Sequence, residues 1–296
     1  NNVLKSILGR SICLNPVIVR KLGGIHDVYC GLEKTAELHI PDEGFKPTGR
    51  IISDLDNFEN VELERLITVN KPVIETYENI SKKLLAKQLE WTDTVIIPWS
   101  GGKDSTSTLI LSLSVFPKDK IKVLYVDTGV EFPCTLKYVE ELASIFKIEV
   151  YKLYAGVDKG IIAENMPMPT HDNRWCTGRK IEAIDKAIEE LSEGNTLIVT
   201  GDRDAESRSR SYRSPLRTTS DRSRIISPVK FWGTTHVQLY MAWKNIPLNP
   251  LYVKGFYRIG CYICPSLRSW EIHVMINDRD IRESLEDNIL FKKFIE

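Results

Sequence analysis

Residues 94–105 read Thr94-Val95-Ile96-Ile97-Pro98-Trp99-Ser100-Gly101-Gly102-Lys103-Asp104-Ser105. A short apolar run of β type ends abruptly in two glycines, a lysine, an aspartate and flanking serines. The stretch that follows, STLILSLSVF, is patterned as an apolar-rich helix. A strand-to-helix turn of this composition is built for an anion. Glycines let backbone N–H groups approach closely, and the N-terminus of the following helix favours negative charge. Ser100 and Ser105 offer hydroxyls, Lys103 a mobile cation, and Asp104 a ligand for Mg²⁺ opposite phosphate oxygens. The GxxxxGK[ST] spacing is absent. The bland alternative is a glycine turn with a solvated lysine and aspartate. Its place between a buried strand and a helix argues against that.

Outward from this stretch, strands and helices alternate. Ile121–Asp127, Glu149–Leu153, Thr196–Gly201 and Ile225–Val229 have the apolar character of buried strands. Residues 132–146, 178–191 and 234–244 have helical periodicity, with Val237, Tyr240 and Met241 on one face of the last. Such alternation predicts a parallel sheet covered on both faces, with ligands at the carboxyl ends of its strands. Two further motifs fall at such ends: Asp127-Thr128-Gly129 followed by Glu131-Phe132-Pro133, and the run Gly201–Arg210, GDRDAESRSR. Arginines in that run would clamp phosphate bidentately. Residues 72–89 are expected to form a helix leading into the first core strand. Residues 1–71 read differently, with short strands expected at 28–32, 35–40 and 50–55. The division expected is a small accessory domain at 1–71, mixed or β-rich, and a catalytic domain at 72–296.

Composition bounds the partners. Forty Lys and Arg balance forty Asp and Glu over 296 residues, which excludes a globally basic nucleic-acid coat. Positive charge is nonetheless concentrated locally, with seven arginines from Arg203 to Arg224. The competing reading of that stretch is a solvated Ser/Arg loop. No apolar run approaches the ~18 residues of a membrane span. A soluble cytoplasmic protein with reduced thiols is expected. Six cysteines are too few for a disulfide scaffold.

Their placement is more informative. Cys176 lies in RWCTGRK before a helix, and Cys261 and Cys264 form a CxxC turn. Three thiolates from two such places can converge on one metal centre. An iron–sulfur cluster is the leading expectation, with zinc, a redox dithiol or three unrelated buried thiols as alternatives. Cys134 is expected as a small apolar residue on the helix 132–146. Cys13 and Cys30 are given no role.

Together, SGGKDS, DTG with its FP, GDRDAESRSR and IPLNPLYVKGFYRIGCYIC resemble the phosphoadenosine phosphosulfate (PAPS) reductase family. That family lies within the adenine nucleotide α-hydrolase (PP-loop ATP pyrophosphatase) superfamily. The resemblance covers about residues 72–270. It implies a doubly wound, Rossmann-like parallel sheet of five strands in the order 3-2-1-4-5. It also implies a nucleotide site on Ser100, Gly101, Gly102, Lys103, Asp104, Ser105, Asp127, Thr128, Gly129, Gly201, Arg203, Glu206, Ser207 and Arg210.

Departures from the family sharpen the expectation. The intact SGGKDS suits ATP, whereas the reductases carry a degenerate loop. Trp175 stands where cluster-bearing reductases have the first of two adjacent cysteines, which favours a [4Fe–4S] cluster on three cysteines. RWCT with a later GCxxC is more similar to the ATP pyrophosphatase of Dnd-type DNA phosphorothioation. The reductases' C-terminal cysteine segment has no counterpart in a chain ending FKKFIE. The resemblance therefore implies an enzyme that adenylates a substrate with ATP and Mg²⁺ for sulfur transfer, using Lys103, Asp104, Ser105, Arg203 and Arg210. Its partners would be a DNA or tRNA acceptor and a sulfur donor such as a cysteine desulfurase. Its oligomeric state is open, with a dimer expected. The runner-up is a thiol-dependent adenylyl-sulfate reductase forming sulfite; the third reading is a nucleotide- or nucleic-acid-binding module without turnover.

Overall fold

The computed structural model describes residues 2–13, 16–41, 47–53 and 62–296. The chain divides into two compact units. One comprises residues 1–66, 251–257 and 263–296, the other 67–250 and 258–262.

In the first unit, α1 (Asn2–Leu8) precedes four antiparallel strands in the order β1-β2-β3-β4. They are β1 (Val17–Arg20), β2 (Ile25–Cys30), β3 (Glu33–His39) and β4 (Thr48–Ile51). β2 and β3 meet in a tight hairpin at Gly31, whose φ of 62° lies where a side chain is disfavoured. The expected strands at 28–32 and 35–40 correspond to β2 and β3, displaced toward the N-terminus. The third, at 50–55, runs onto residues outside those described. β1 went unpredicted because VIVR lacks any alternation that separates it from its surroundings. Cys13 and Cys30 are joined in a disulfide with Cα atoms 6.1 Å apart. This corrects the expectation of reduced thiols throughout. Their spacing in sequence says nothing about β2 pairing, which determines where Cys30 lies.

The second unit begins within α2 (Leu63–Ala86). This helix starts nine residues before the expected Pro72, which lies inside it. Six strands follow, in the order β7-β6-β5-β8-β10-β9. They alternate with helices: β5 (Thr94–Pro98), α3 (Lys103–Leu113), β6 (Ile121–Asp127), α4 (Pro133–Phe146), β7 (Val150–Tyr154), α5 (Val157–Ile162), α6 (Trp175–Leu191), β8 (Thr196–Val199), α7 (Arg208–Ser211), β9 (Leu216–Ser220), β10 (Ser223–Ile226) and α8 (Thr234–Trp243). All neighbours pair in parallel except β9 and β10. The sheet thus has six strands where five were expected, and the sixth is an antiparallel edge. Side chains of β5 explain why it reads as an unbroken apolar run. Val95 and Ile97 enter a core with Leu109, Val139 and Tyr240, whereas Ile96 enters a second core with Leu124, Ile198 and Ala187. A strand buried on both faces has no polar side to alternate with.

Within α6, Ala187 is buried, whereas Ile181 is half exposed. The N-cap of α8 is Gly233; its N–H donates to His236 Nδ1 at 3.1 Å. The remaining helices are α9 (Pro250–Val253), α10 (Ser269–Asn277), α11 (Arg279–Leu285) and α12 (Ile289–Ile295). Most of residues 251–296 belongs to the first unit, so the expected catalytic domain at 72–296 differs from the division seen. Among the described residues no helix is long and apolar enough to cross a membrane.

Candidate active site

The three sequence motifs follow β5, β6 and β8, which are adjacent and parallel, so they share one edge of the sheet. At the centre is the β5–α3 turn. Trp99 is buried and donates from Nε1 to Thr106 Oγ1 at 2.9 Å, fixing the strand end to the helix. Gly101 adopts φ 71°, and a Cβ there would come within 3.0 Å of Val139. The Ser100 N–H donates to Ser105 Oγ at 3.3 Å, and the Ser105 hydroxyl donates to the Gly102 carbonyl at 3.0 Å. The two serine hydroxyls stand 3.1 Å apart. The first N–H groups of α3 open at the same place, so hydroxyl and amide donors gather at one helix N-terminus.

Lys103 is almost fully buried and donates to Asp104 Oδ2 at 2.9 Å. Arg203, also buried, donates from Nε to Asp104 Oδ1 at 2.6 Å and from a terminal nitrogen to the Trp232 carbonyl at 3.2 Å. Asp104 therefore holds two cations at the mouth of the loop. Gly201 lies directly against α3, since a Cβ on it would stand 2.8 Å from the Ser105 nitrogen. The end of β8 and the phosphate-type loop are thereby fitted backbone to backbone.

The run Gly201–Arg210 is internally paired. Its first part is a one-turn 3₁₀ segment at Asp204–Glu206, and Glu206 accepts the Arg203 N–H at 3.0 Å. Ser207 caps α7 by accepting the Arg210 N–H at 3.2 Å. Arg210 pairs with Glu206 and, at 3.5 Å, with Asp202; Arg213 reaches Asp202 at 3.1 Å. Arg224 turns away to stack on Trp91 at 3.8 Å. The arginine-rich stretch thus neutralises much of its charge with its own acids. Asp204 pairs with Lys230, a buried lysine in the turn after β10.

At the end of β6, Asp127 Oδ1 accepts the Gly129 N–H at 2.8 Å. Asp158 packs against the bare Cα of Gly129, where a Cβ would fall 2.1 Å from its carboxylate. The Tyr154 hydroxyl donates to Asp158 at 2.5 Å, and burial together with that carboxylate pushes the phenol up to about 12. Thr128 Oγ1 donates to Glu131 Oε1 at 3.0 Å and stands 3.3 Å from Cys261 Sγ. Lys180, one turn along α6 from Cys176, is 3.9 Å from the same carboxylate. Burial pushes the Glu131 carboxyl upward, opposed by Lys180 and Thr128. A cavity of about 220 Å³ is lined by Tyr125, Asp127, Val139, Glu140 and Tyr154. A larger one of about 610 Å³ lies between β7 and α6 and is lined by Lys152, Tyr154, Arg179 and Glu182.

Of the proposed metal ligands, Cys176 and Cys261 lie in the second unit and Cys264 in the first. None of the three is in a disulfide, nor is Cys134 on α4, and each is half-buried. The Cys261 Sγ faces Glu131 Oε1 at 3.7 Å. Among the described residues, no three His, Cys, Asp or Glu side chains are grouped to hold one metal ion.

Sequence reasoning passed over Asn249, Asp158 and Lys230. Asn249 is fully buried and donates from Nδ2 to Thr135 Oγ1 at 3.2 Å, beside the Gly101 carbonyl at 3.5 Å. A PLNP segment carried that signal; a lone lysine or aspartate in a turn carries none.

Residues 94–267 match the model of the phosphoadenosine phosphosulfate reductase domain, more than half of the chain. The chain is 35% identical to an uncharacterized protein, MJ0066, of Methanocaldococcus jannaschii, over 78% of this chain and 48% of that one. It is 27% identical to an adenosine 5'-phosphosulfate reductase of Deinococcus radiodurans, over 53% of this chain and 61% of that one. It thus spans about half the length of the first relative. The crystal structure of a PAPS reductase from Candida auris covers 70% of this chain and 98% of its own, with TM-score 0.51 and 18% identity, a likeness of fold. The edge shared by three motifs and the match across it lead to one statement: this chain belongs to the phosphoadenosine phosphosulfate reductase domain family.

Proposed function

We propose that the chain binds ATP at the β5–α3 turn and cleaves it between the α and β phosphates, adenylating a substrate for sulfur transfer. The observation that supports this reading is the complete SGGKDS turn, with the buried Lys103 ammonium beside the first N–H groups of α3. An adenylyl sulfate has no β and γ phosphates for that donor set to hold.

In this reading an oxygen of the substrate attacks the α phosphorus as the bond to the bridging β oxygen breaks and pyrophosphate leaves. Lys103, Ser100, Ser105 and the loop amides stabilise charge on the leaving group. The incoming phosphates compete with Asp104 for Lys103 and Arg203. Arg210 likewise exchanges Glu206 and Asp202 for pyrophosphate. Asp104, once released, is the carboxylate that would hold Mg²⁺, which needs one or two carboxylates besides phosphate oxygens and supplies charge neutralisation between them. Asp127, Thr128 and Gly129 flank the adenosine, while Gly201, Glu206 and Ser207 shape the opposite wall. The test is pyrophosphate release from ATP by purified protein with candidate acceptors. Absence of both ATP binding and pyrophosphate release refutes the proposal.

DNA and tRNA remain the proposed acceptors, and a cysteine desulfurase the proposed donor, on the resemblance to phosphorothioation enzymes. The iron–sulfur assignment of Cys176, Cys261 and Cys264 rests on their sequence pattern, and no step above uses it. An anaerobic absorption spectrum with iron and sulfide analysis decides it; colourless protein with stoichiometric zinc contradicts it. The second reading, a thiol-dependent reductase of adenylyl sulfate, is favoured by the family match and the reductase relatives. Sulfite formation without pyrophosphate would select it.

A further inference from the structure

We propose that Lys230 is a positioning residue that fastens the Gly201–Arg210 run in the place from which its arginines reach phosphate; this rests on the ATP-binding reading above. Lys230 is 4% exposed. A lysine is rarely buried unless its charge is matched, because stripping water from an ammonium is costly. Here both polar contacts of the ammonium are to one segment. Its Nζ pairs with the Asp204 carboxylate and donates to the Arg210 carbonyl at 2.9 Å. Its own carbonyl accepts the Asp204 N–H at 2.9 Å. One residue therefore ties both ends of the segment 204–210.

The neighbouring contacts make the turn a clasp. Arg203 immediately precedes the segment and bonds the carbonyl of Trp232, two residues beyond Lys230. The Ser227 hydroxyl, three residues before it, stands 2.9 Å from that of Thr200 at the end of β8. Helix α7 has only four residues and cannot hold itself. A cation on the carbonyl of Arg210, in its last turn, supplies what the helix lacks. The same ammonium neutralises Asp204, which would otherwise compete with phosphate for the adjacent arginines. Lys230 thus fixes the segment and leaves Arg203 and Arg210 available to exchange partners.

The test compares wild type with Lys230→Met and Lys230→Arg in two measurements. Titration with Mg·ATP and with AMP reads the site; trypsin cleavage after Arg208, Arg210 and Arg213 reads the segment directly. Loss of a charged hydrogen bond in Lys230→Met should weaken ATP about tenfold or more. AMP affinity should fall less than ATP affinity, because AMP lacks the phosphates the arginines would hold and loses only the fit against the Glu206 and Ser207 wall. Cleavage in the segment should accelerate, and Lys230→Arg should restore both toward wild type. Asp204→Ala removes the same link from the other side and should act likewise, which keeps the test decisive if Lys230→Met does not fold. Wild-type ATP affinity and wild-type cleavage in a folded Lys230→Met or Asp204→Ala protein overturn the inference. If wild type itself binds no ATP, the ATP reading fails; faster cleavage in the variants would still uphold the fastening, and unchanged cleavage would end it.

Discussion

Gly201→Ala is the substitution whose consequence is most directly worked from the structure. Its Cβ would lie 2.8 Å from the Ser105 nitrogen, 2.9 Å from the Asp104 carbonyl carbon and 3.1 Å from the Asp104 carbonyl oxygen. Unstrained heavy-atom contacts sit near ~3.5 Å, so the end of β8 and the first turn of α3 must part by roughly 0.7 Å. The obstructing atoms are backbone and cannot rotate aside. Overpacking of this kind costs about 1–3 kcal/mol. Misplacing a reacting group by about 1 Å costs on the order of a hundredfold in rate, so a displacement of about 0.7 Å predicts roughly a 25-fold loss. Gly178→Ala on α6 is the control: nothing lies within 4 Å of its added Cβ. There the gain in helix propensity should stabilise by about 0.5–1 kcal/mol. Thermal unfolding, Mg·ATP titration and the rate of pyrophosphate release by both variants are the assay. Gly201→Ala protein with wild-type melting and wild-type ATP affinity would refute the backbone-to-backbone fit.

Further outcomes are expected elsewhere. The buried Glu78 carboxylate faces Lys82, Lys244 and the Tyr240 hydroxyl. Burial pushes its pKa up, but the two lysines outweigh this and hold it below its ordinary value. Its stabilising contribution is therefore present above the unfolded carboxylate pKa and is lost as pH falls through the folded one. Glu78→Gln should cost about 1–2 kcal/mol at pH 7, since both lysines are partly exposed, and nothing once the pH lies below the folded pKa; denaturant unfolding against pH reads this. Reducing the Cys13–Cys30 disulfide, or replacing both cysteines by serine, should destabilise the first unit by about 3 kcal/mol, the loop-closure value for 17 residues. Unfolding with and without reductant measures it. An unchanged midpoint would show that the bond constrains nothing. Lys103→Ala should abolish ATP cleavage with little change in melting temperature.

How much of this was readable before the structure depends on contrast along the chain. β5 and the loop after it were legible because TVIIP is buried on both faces and SGGKDS breaks off sharply into glycines and charges. The antiparallel edge strand β9 was not. Its sequence, LRTTS, is polar and outward, and it lies in a stretch that reads as Ser/Arg low complexity. α2 was cut short at Pro72, a residue usually met in the first turn of a helix. Residues 263–296 were assigned to the catalytic half by proximity in sequence, and no local signal marks their return to the first unit. Within the site, residue types were visible but their partners were not. Asp104 was read as a metal ligand, and it also anchors Lys103 and Arg203. In sequence Glu131 reads only as part of a turn, and it is the carboxylate that Thr128, Cys261 and Lys180 share.

The most direct test of the central claim is a binding titration of the wild-type chain and its Lys103→Ala variant with Mg·ATP and, separately, with adenylyl sulfate. The account predicts that wild type binds ATP, that adenylyl sulfate binds more weakly, and that Lys103→Ala loses ATP binding while keeping its fold. Binding of adenylyl sulfate alone, or ATP binding that does not depend on Lys103, would contradict it.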